Sequence, residues 1–345
     1  MRGSHVGERP SHNVDCNRLP GMSHPERLSS SGGEPVGTIA ESPRMNGQSS
    51  ESLARFAARH GLKQSAARPP LRTYVQQVWQ RRTFIWNFAS AKTSSMYSSS
   101  RLGQVWQVLT PLLNVAVYFL IFGLLLQTGK DVTDFVPFLI TGVFVFTFTQ
   151  RSVTAGAKSV SGNLSLIRAL HFPRASLPFA HVIVELQQLL ISMVVLFALL
   201  FAWGVAPTLY MLLIVPTLLL QLCFNMGLSL VLARIGAFTP DIQQLLPFIL
   251  RTWLYASGVI FAMPQIADQR LADHPWLREL LKANPGSVYV ELSRSTLIES
   301  YRTRDLPKWH WSDSHLWWYA IAWAVIALVA GFWYFHRAEE RYGRG

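Results

Sequence analysis

Long apolar runs, separated by short polar segments, fill the chain from residue 103 to its end. These runs approach or exceed the roughly 18 apolar residues that a helix needs to cross about 30 Å of hydrocarbon. The pattern therefore predicts an all-α integral membrane protein whose transmembrane domain covers residues 103–345. Its six predicted transmembrane helices cover residues 103–127, 135–154, 179–203, 209–232, 243–263 and 315–335.

Residues 1–70 differ from this domain because they are rich in Ser, Gly, Pro, Arg and Glu. A segment of this composition buries too little apolar surface to offset its ordering entropy. We therefore predict that it is a disordered cytoplasmic tail.

Residues 71–102 are predicted to form an amphipathic helix followed by a connector. Apolar residues recur at spacings of three and four, which places them on one face of a helix. An aromatic face with Arg at its edge is typical of a helix lying in the membrane surface, and a soluble helix packing on a partner is the alternative. The predicted stripe is Val75, Val78, Trp79, Arg82, Ile85 and Phe88, with Gln76, Gln80 and Arg81 opposite.

Basic residues indicate the orientation in the membrane. The chain has a formal net charge of +12, and Lys and Arg are retained in cytoplasmic segments of membrane proteins. They flank the first and last predicted spans and occur in the polar segment 155–178, whereas the loop after the third span has none. Both ends are therefore predicted to be cytoplasmic, in a plasma membrane. Because no nucleic-acid-binding motif occurs, no nucleic acid partner is expected.

Residues 264–314 form the predicted external segment. They contain seven basic and seven acidic residues, a balance that weakens the charge rule. Their apolar pieces, residues 275–281 and 287–298, are predicted to be short re-entrant helices before the last span. Four tryptophans suit either an interfacial aromatic belt or a sugar-stacking platform; they are Trp309, Trp311, Trp317 and Trp318.

Recognisable catalytic motifs are missing from the sequence. It has no phosphate-binding GxxxxGK[ST] loop, no GxSxG elbow and no HExxH pair, and its Cys and His spacings indicate no metal site. We therefore expect no catalytic residue, metal or cofactor in this chain. Glu185 and Arg251 are the main ionisable residues in the spans, where they serve transport or simply lie near the interface.

Three local patterns occur in order along the chain. They are Arg101-Leu102-Gly103 with Trp106 and Pro111-Leu112, the string NLSLIRALHFPRASLP at residues 163–178, and Asn284-Pro285 followed by Arg294. Together they resemble the permeases of bacterial ABC polysaccharide exporters, over roughly residues 72–335. The chain departs from the family pattern at Pro240 and Asp241, where an Arg-Asp pair is often found.

The resemblance implies a permease that works with a separate ABC ATPase, which binds the ATP, and with a second copy of itself. It implies a lipid-linked glycan as substrate, of the O-antigen, galactan or teichoic-acid type. It also implies that residues 155–178 couple the ATPase to the spans, an ordinary positive-inside loop being the alternative. Pro173 and Pro178 bias their preceding residues away from helix and so bound a short rigid element. The predicted coupling residues are Asn163, Ile167, Arg168, Phe172, Pro173 and Arg174.

Two further sets of residues follow from the resemblance. Trp79, Arg81, Arg82 and Arg101 are expected to meet the anionic headgroup of the lipid-linked glycan or of membrane lipid. Aromatic residues are expected along the translocation path, although lipid-facing or packing roles would also account for them; they are Phe144, Phe148, Trp253 and Tyr255. Two rival classes stay open, a type-2 ABC exporter of drugs or lipids and a secondary transporter without an ATPase.

Overall fold

The structure, a computed structural model, describes residues 69–96, 101–103, 105–125, 134–170, 172–261, 274–302 and 313–342. All of these belong to one compact unit, Gln64–Gly345. The predicted tail lies outside them except for Pro69 and Pro70. Helices and no strands occur in these ranges, which confirms the all-α prediction there. The α-helices are α1 (Leu71–Gln80), α2 (Arg82–Met96), α3 (Val105–Tyr118), α4 (Phe135–Ser159), α5 (Leu164–Ala169), α6 (Ser176–Ala202), α7 (Ile214–Phe238), α8 (Ile242–Ala256), α9 (Pro275–Ala283), α10 (Pro285–Leu297), α11 (Glu299–Arg302) and α12 (Asp313–His336).

Five helical segments among the described residues are long and apolar enough to cross a membrane. They correspond to the predicted first, second, third, fourth and sixth spans. The first includes a π-helical turn that continues α3, and the fourth includes a 3-10 turn that precedes α7. The segments are Val108–Leu125, Phe135–Ser159, Ser176–Ala202, Leu209–Phe238 and His315–His336.

The second span begins at Phe135 as predicted but continues to Ser159, beyond the predicted end at residue 154. The prediction was wrong because it took the small residues after 154 as the start of a polar loop. In the structure these residues let α4 lie against α7. A Cβ atom on Gly156 would lie only 2.1 Å from the hydroxyl oxygen of Ser229 on α7.

The predicted fifth span, residues 243–263, is not a full-length helix. Its helix α8 has 15 residues and ends at Ala256, so it is about 22 Å long, short of the hydrocarbon thickness. Gly258 follows with φ +65°, a left-handed conformation that ends the helix. Residues 262–263 of the predicted span lie outside the described residues.

Helix α4 is the centre of the described bundle. Of its most apolar stretch 78% is buried, against 11% for the span containing α3 and 22% for that containing α12. Helix α7 packs against α4 and against α12. The contact between α7 and α12 is close, because a Cβ atom on Gly227 would lie 2.1 Å from the carbonyl carbon of Ala327. Small residues allow such close approach of membrane helices.

The predicted amphipathic segment forms two helices with a break at Arg81. Val78 is buried, whereas Val75 and Trp79 of the predicted stripe are 46% and 69% exposed and face away from the bundle. Tyr74 is also buried, and its ring contacts the end of α12. Helix α2 packs along α6, where the Thr93 hydroxyl donates to Gln187 Oε1 at 2.7 Å.

Candidate functional site

Residues 155–178 join the end of α4 to the start of α6 through a folded element. A 3-10 turn, Ser161–Asn163, leads into α5. The Asn163 side-chain amide donates to the Ser159 carbonyl oxygen at 2.7 Å, which fixes the turn on the last residue of α4. Gln243 at the start of α8 donates to the Ser161 hydroxyl at 3.1 Å. The element is therefore tied to three of the bundle's helices.

The predicted coupling residues divide into an inner and an outer set. Ile167 and Pro173 are buried, and the ring of Phe172 lies 5.5 Å from the ring of Phe84 on α2. Arg168 is exposed, as are two leucines beside it, Leu164 and Leu170, at 37% and 52%. The exposed residues of α5 and of the position after it, here called the outward face, are Leu164, Ser165, Arg168, Ala169 and Leu170. A surface that combines exposed apolar side chains with a basic side chain is typical of a site that contacts another protein.

Arg174 is bound within the chain. Its backbone N–H donates to Glu339 Oε1 at 3.1 Å, and its guanidinium donates to the backbone carbonyl oxygen of Glu339. The Tyr74 hydroxyl donates to Glu339 Oε2 at 2.7 Å and accepts the N–H of Ala175 at 3.0 Å. We call Tyr74, Arg174, Ala175 and Glu339 the end clasp, because they join α1, the element before α6 and the turn after α12.

The end clasp is buried, and its ionisation equilibria change accordingly. Burial raises the pKa of the Glu339 carboxyl, and the hydrogen bonds from Tyr74 and Arg174 lower that pKa in part. Burial also raises the pKa of the Tyr74 hydroxyl, and the Glu339 charge raises it further. The tyrosine therefore stays protonated and acts as a hydrogen-bond donor to Glu339.

The predicted headgroup residues lie on exposed surface. Trp79, Arg81 and Arg82 are exposed around the break between α1 and α2, and Arg101 is exposed after the connector. The Arg82 guanidinium carbon lies 5.5 Å from the centroid of the Trp79 ring. An aromatic ring with cationic side chains beside it is typical of a membrane interface.

The four predicted path residues are not brought together within one chain. Phe144 and Phe148 are 2% exposed and lie in the core on α4. Trp253 is half-buried, with its ring 5.6 Å from Phe146 in an edge contact. Tyr255 lies on an exposed face of α8 and is 40% exposed, and Arg251 of the same helix is also exposed.

Phe144 and Phe148 border a small cleft between α3, α4 and α6. Its volume is about 20 Å³, and Glu185 of α6 faces it together with Arg151 of α4. Glu185 is 8% exposed, and its Oε2 has no hydrogen-bond partner among the described residues. The structure thus places the carboxylate between the helices of the bundle, and its depth in the membrane stays a prediction. The remaining lining residues are Pro111, Thr147, Leu189 and Ser192.

Sequence reasoning missed the role of Arg294, whose side chain is fully buried on α10. Its guanidinium donates to the carbonyl oxygens of Phe138 (3.2 Å), Gly258 (2.9 Å) and Val259 (2.8 Å). It also forms a 2.9 Å ion pair with Glu291, which accepts the Tyr301 hydroxyl. This Arg294 network holds the start of α4 and the end of α8 to α10. Its only signal in the sequence was the position of Arg294 after Asn284-Pro285.

Asn284 joins α8 to α10 just before the Arg294 network. Its Oδ1 accepts the Trp253 indole N–H at 2.7 Å and the Gly286 N–H at 3.0 Å, so it caps α10. Its Nδ2 donates to the Ala256 carbonyl oxygen at 3.0 Å. The predicted path residue Trp253 is therefore held in a fixed position.

The helices define the class of this chain as a multi-pass α-helical membrane protein. Residues 83–298 match the family described as ABC-2 type transporter, and the chain belongs to that family. Membership makes it a membrane permease subunit, a class that relies on a separate ABC ATPase.

Several characterised proteins are similar to it. The O-antigen export system permease protein RfbA of Myxococcus xanthus is 27% identical over 231 residues, which cover 67% of this chain and 86% of that protein. Its namesake from Klebsiella pneumoniae is 28% identical over 174 residues, covering 50% and 66%. The polysialic acid transport protein KpsM of Escherichia coli is 23% identical over 210 residues, covering 59% and 77%.

Proposed function

We propose that this chain is the permease subunit of an ABC exporter that moves a lipid-linked polysaccharide across the bacterial plasma membrane. The observation that carries the proposal is its likeness to an O-antigen export permease over 86% of that protein's length. A second relative is named for transport of another sugar polymer, polysialic acid. O-antigen, galactan and teichoic-acid polymers are the substrates of this class that we expect.

The proposal includes six membrane crossings with both chain ends on the cytoplasmic side. Helix α8 would be the short crossing, completed by the segment after Ala256, in which Val259 and Ile260 are buried. The short helices α9 and α10 would then lie on the outer side. Single cysteines at Lys158 and Glu299, in a chain whose Cys16 and Cys223 are replaced, test this topology. A membrane-impermeant maleimide should label position 299 from outside and position 158 only after the membrane is opened.

The outward face is the proposed docking surface for the ATPase. It carries two exposed leucines and the exposed Arg168, and it lies on an element fixed to α4, α6 and α8. Movement imposed on such an element passes into the spans it joins. ATP binding and hydrolysis in the partner would in this way supply the work of transport.

A second copy of the chain would complete the translocation path. Helices α3 and α8 leave apolar side chains exposed in the single chain, and these suit a neighbouring helix or lipid. Tyr255 lies on the exposed face of α8 and would border a path at the contact between copies. Trp79, Arg81, Arg82 and Arg101 would bind the pyrophosphate of the lipid-linked glycan. The exposed apolar residues are Leu113, Val117, Leu120, Leu245, Phe248 and Ile249.

The central test is capture of the ATPase by the permease in nanodiscs. The variant Arg168→Glu/Leu170→Ser changes the outward face without touching the buried anchors Ile167 and Pro173. Arg72→Glu, an exposed charge reversal on α1, is the matched control. The first variant should retain about tenfold less ATPase, a change of about 1.4 kcal/mol, which one well-packed interface side chain can supply. Equal retention by both variants would contradict the assignment of the outward face.

The substrate class is tested by stimulation of ATP hydrolysis. A lipid-linked glycan should raise the ATPase rate of the reconstituted complex. It should also be transported from the membrane leaflet in which it was supplied to the opposite leaflet. Hydrophobic drugs and ordinary phospholipids serve as comparison substrates. Stimulation and transport by these compounds alone would favour the rival exporter of drugs or lipids.

A further inference from the structure

The end clasp connects three parts of the chain that are far apart in sequence. Tyr74 and Glu339 are separated by 265 positions, and Arg174 and Glu339 by 165. The family match covers residues 83–298, so both Tyr74 and Glu339 lie outside it. Only the Arg174–Ala175 side of the end clasp falls within the matched part.

The geometry of the end clasp is specific as well as buried. Tyr74 is 1% exposed, and its hydroxyl both donates to Glu339 and accepts from Ala175. Its ring packs 4.9 Å from the His336 ring and 5.6 Å from the Phe332 ring of α12. The two carboxylate oxygens of Glu339 are divided between Tyr74 and the backbone of Arg174. Hydrogen bonds to an ionised group are short and directional, so they fix position more closely than apolar packing.

We propose that Tyr74 and Glu339 are positioning residues for energy coupling. They hold the end of the coupling element at Arg174 and Ala175 to α1 and to the end of α12. A movement of that element by the ATPase then carries α1 and α12 with it, in addition to the two spans to which it is covalently joined. This inference rests on the proposed function, because it requires an ATPase that acts on residues 155–178.

The experiment uses the full chain with its ATPase in nanodiscs and measures three quantities. These are the amount of ATPase retained, the rate of ATP hydrolysis and the amount of glycan exported per ATP. Tyr74→Phe keeps the ring contacts but leaves Glu339 Oε2 and the Ala175 N–H without the hydroxyl. Export per ATP should fall about tenfold, the effect expected from loss of a hydrogen bond to a charged group, with ATPase retention unchanged.

Tyr342→Phe is the matched control at the same end of the chain. Its buried hydroxyl donates to the Phe335 carbonyl oxygen at 3.2 Å, so its bond stays within the C-terminal segment. A merely structural effect would lower thermal stability in both variants alike, whereas export per ATP should fall only in Tyr74→Phe. Glu339→Gln keeps an acceptor oxygen at this position. When variants of matched thermal stability are compared, Glu339→Gln should therefore export more glycan per ATP than Glu339→Ala.

The outcomes separate the two proposals. If the unaltered chain exports glycan and Tyr74→Phe exports as much per ATP as Tyr342→Phe, the positioning role is overturned and the proposed function stands. If the unaltered chain retains no ATPase and exports nothing, the proposed function fails, and the positioning role fails with it. A selective loss in Tyr74→Phe with partial recovery by Glu339→Gln over Glu339→Ala supports both.

Discussion

Replacing Arg294 by Met is expected to destabilise the bundle more than any exposed charge substitution. The change removes the guanidinium but keeps a long apolar side chain. It leaves the Glu291 carboxylate, which is 1% exposed, without its cation. It also leaves the carbonyl oxygens of Phe138, Gly258 and Val259 without their side-chain donor.

The magnitude follows from these losses. Breaking a buried ion pair by removing one partner costs about 3–5 kcal/mol. Each buried carbonyl oxygen left without a donor adds about 1 kcal/mol or more where it cannot find another partner. A loss of about 3–8 kcal/mol is therefore expected, depending on how many carbonyl oxygens find another donor, and this is comparable with the whole stability of a domain near the lower end of the usual range.

The chain offers a matched control in the same segment. Arg302 and Glu299 form a second pair three residues apart, at 3.6 Å, with side chains 18% and 51% exposed. Arg302 also lies 3.7 Å from the centroid of the Tyr210 ring, so Arg302→Met should cost about 1–2 kcal/mol, well below the cost of Arg294→Met. Denaturant titration in detergent, followed by tryptophan fluorescence and size exclusion, compares the two. Equal midpoints for Arg294→Met and Arg302→Met would refute the reasoning.

A double variant separates the carboxylate from the carbonyl oxygens. Arg294→Met/Glu291→Met removes the orphaned charge along with the guanidinium, so it should recover part of the loss. Recovery should stay incomplete, since the three carbonyl oxygens still lack their donor. Full recovery would mean that the ion pair alone, and not the attachment of α4 and α8, accounts for the effect.

Three further predictions concern other parts of the bundle. Gly227→Ala should lower the apparent Tm, since its Cβ would lie 2.1 Å from Ala327, whereas Gly162→Ala meets open space; equal shifts would contradict the close crossing. Because burial raises the pKa of Glu339 above 4.5, its contribution to stability is complete below that value and declines as the pH rises through the folded value. As the pH rises, the apparent Tm of Glu339→Gln should therefore increase relative to that of the unaltered protein. A decrease relative to the unaltered protein would contradict this prediction. Asn225 is fully buried with neither side-chain atom partnered among the described residues, so Asn225→Leu should raise the apparent Tm; a fall would indicate a hydrogen bond that the amide makes.

The five full-length spans were predictable because their signal is local. A run of apolar residues is complete within its own stretch of sequence, and hydropathy detects it. Helix α8 shows the limit of this reasoning. Its apolar run extends past Ala256, but the chain turns at Gly258, whose carbonyl oxygen is bound by Arg294, 36 residues later. A contact of that separation has no local signal, so its effect on the helix end could not be predicted.

The candidate site was predictable to a similar degree. Pro173 and the string around it marked the folded element between α4 and α6, and its exposed residues include Arg168. The contact of Arg174 with the buried Glu339 could not be predicted, because nothing near Arg174 in the sequence indicates an acidic residue at the far end of the chain. Similarly, the apolar spacing assigned Val75 to the predicted stripe, whereas its neighbour Tyr74 is the residue that is buried.

The two networks that contain buried ionic groups lie near the two ends of α4. The Arg294 network holds the beginning of α4, where Phe138 lies, and the end clasp packs with Val160 just after its end. Buried polar atoms without a partner among the described residues occur at Glu185 and Asn225, and also beside the two networks at Thr141 and Ser176. Groups that are fully hydrogen-bonded favour one arrangement strongly, whereas unpaired ones gain from any rearrangement that supplies a partner. Both ends of α4 are therefore held to segments distant in sequence, and the unpaired groups gain wherever a change of helix contacts supplies a partner.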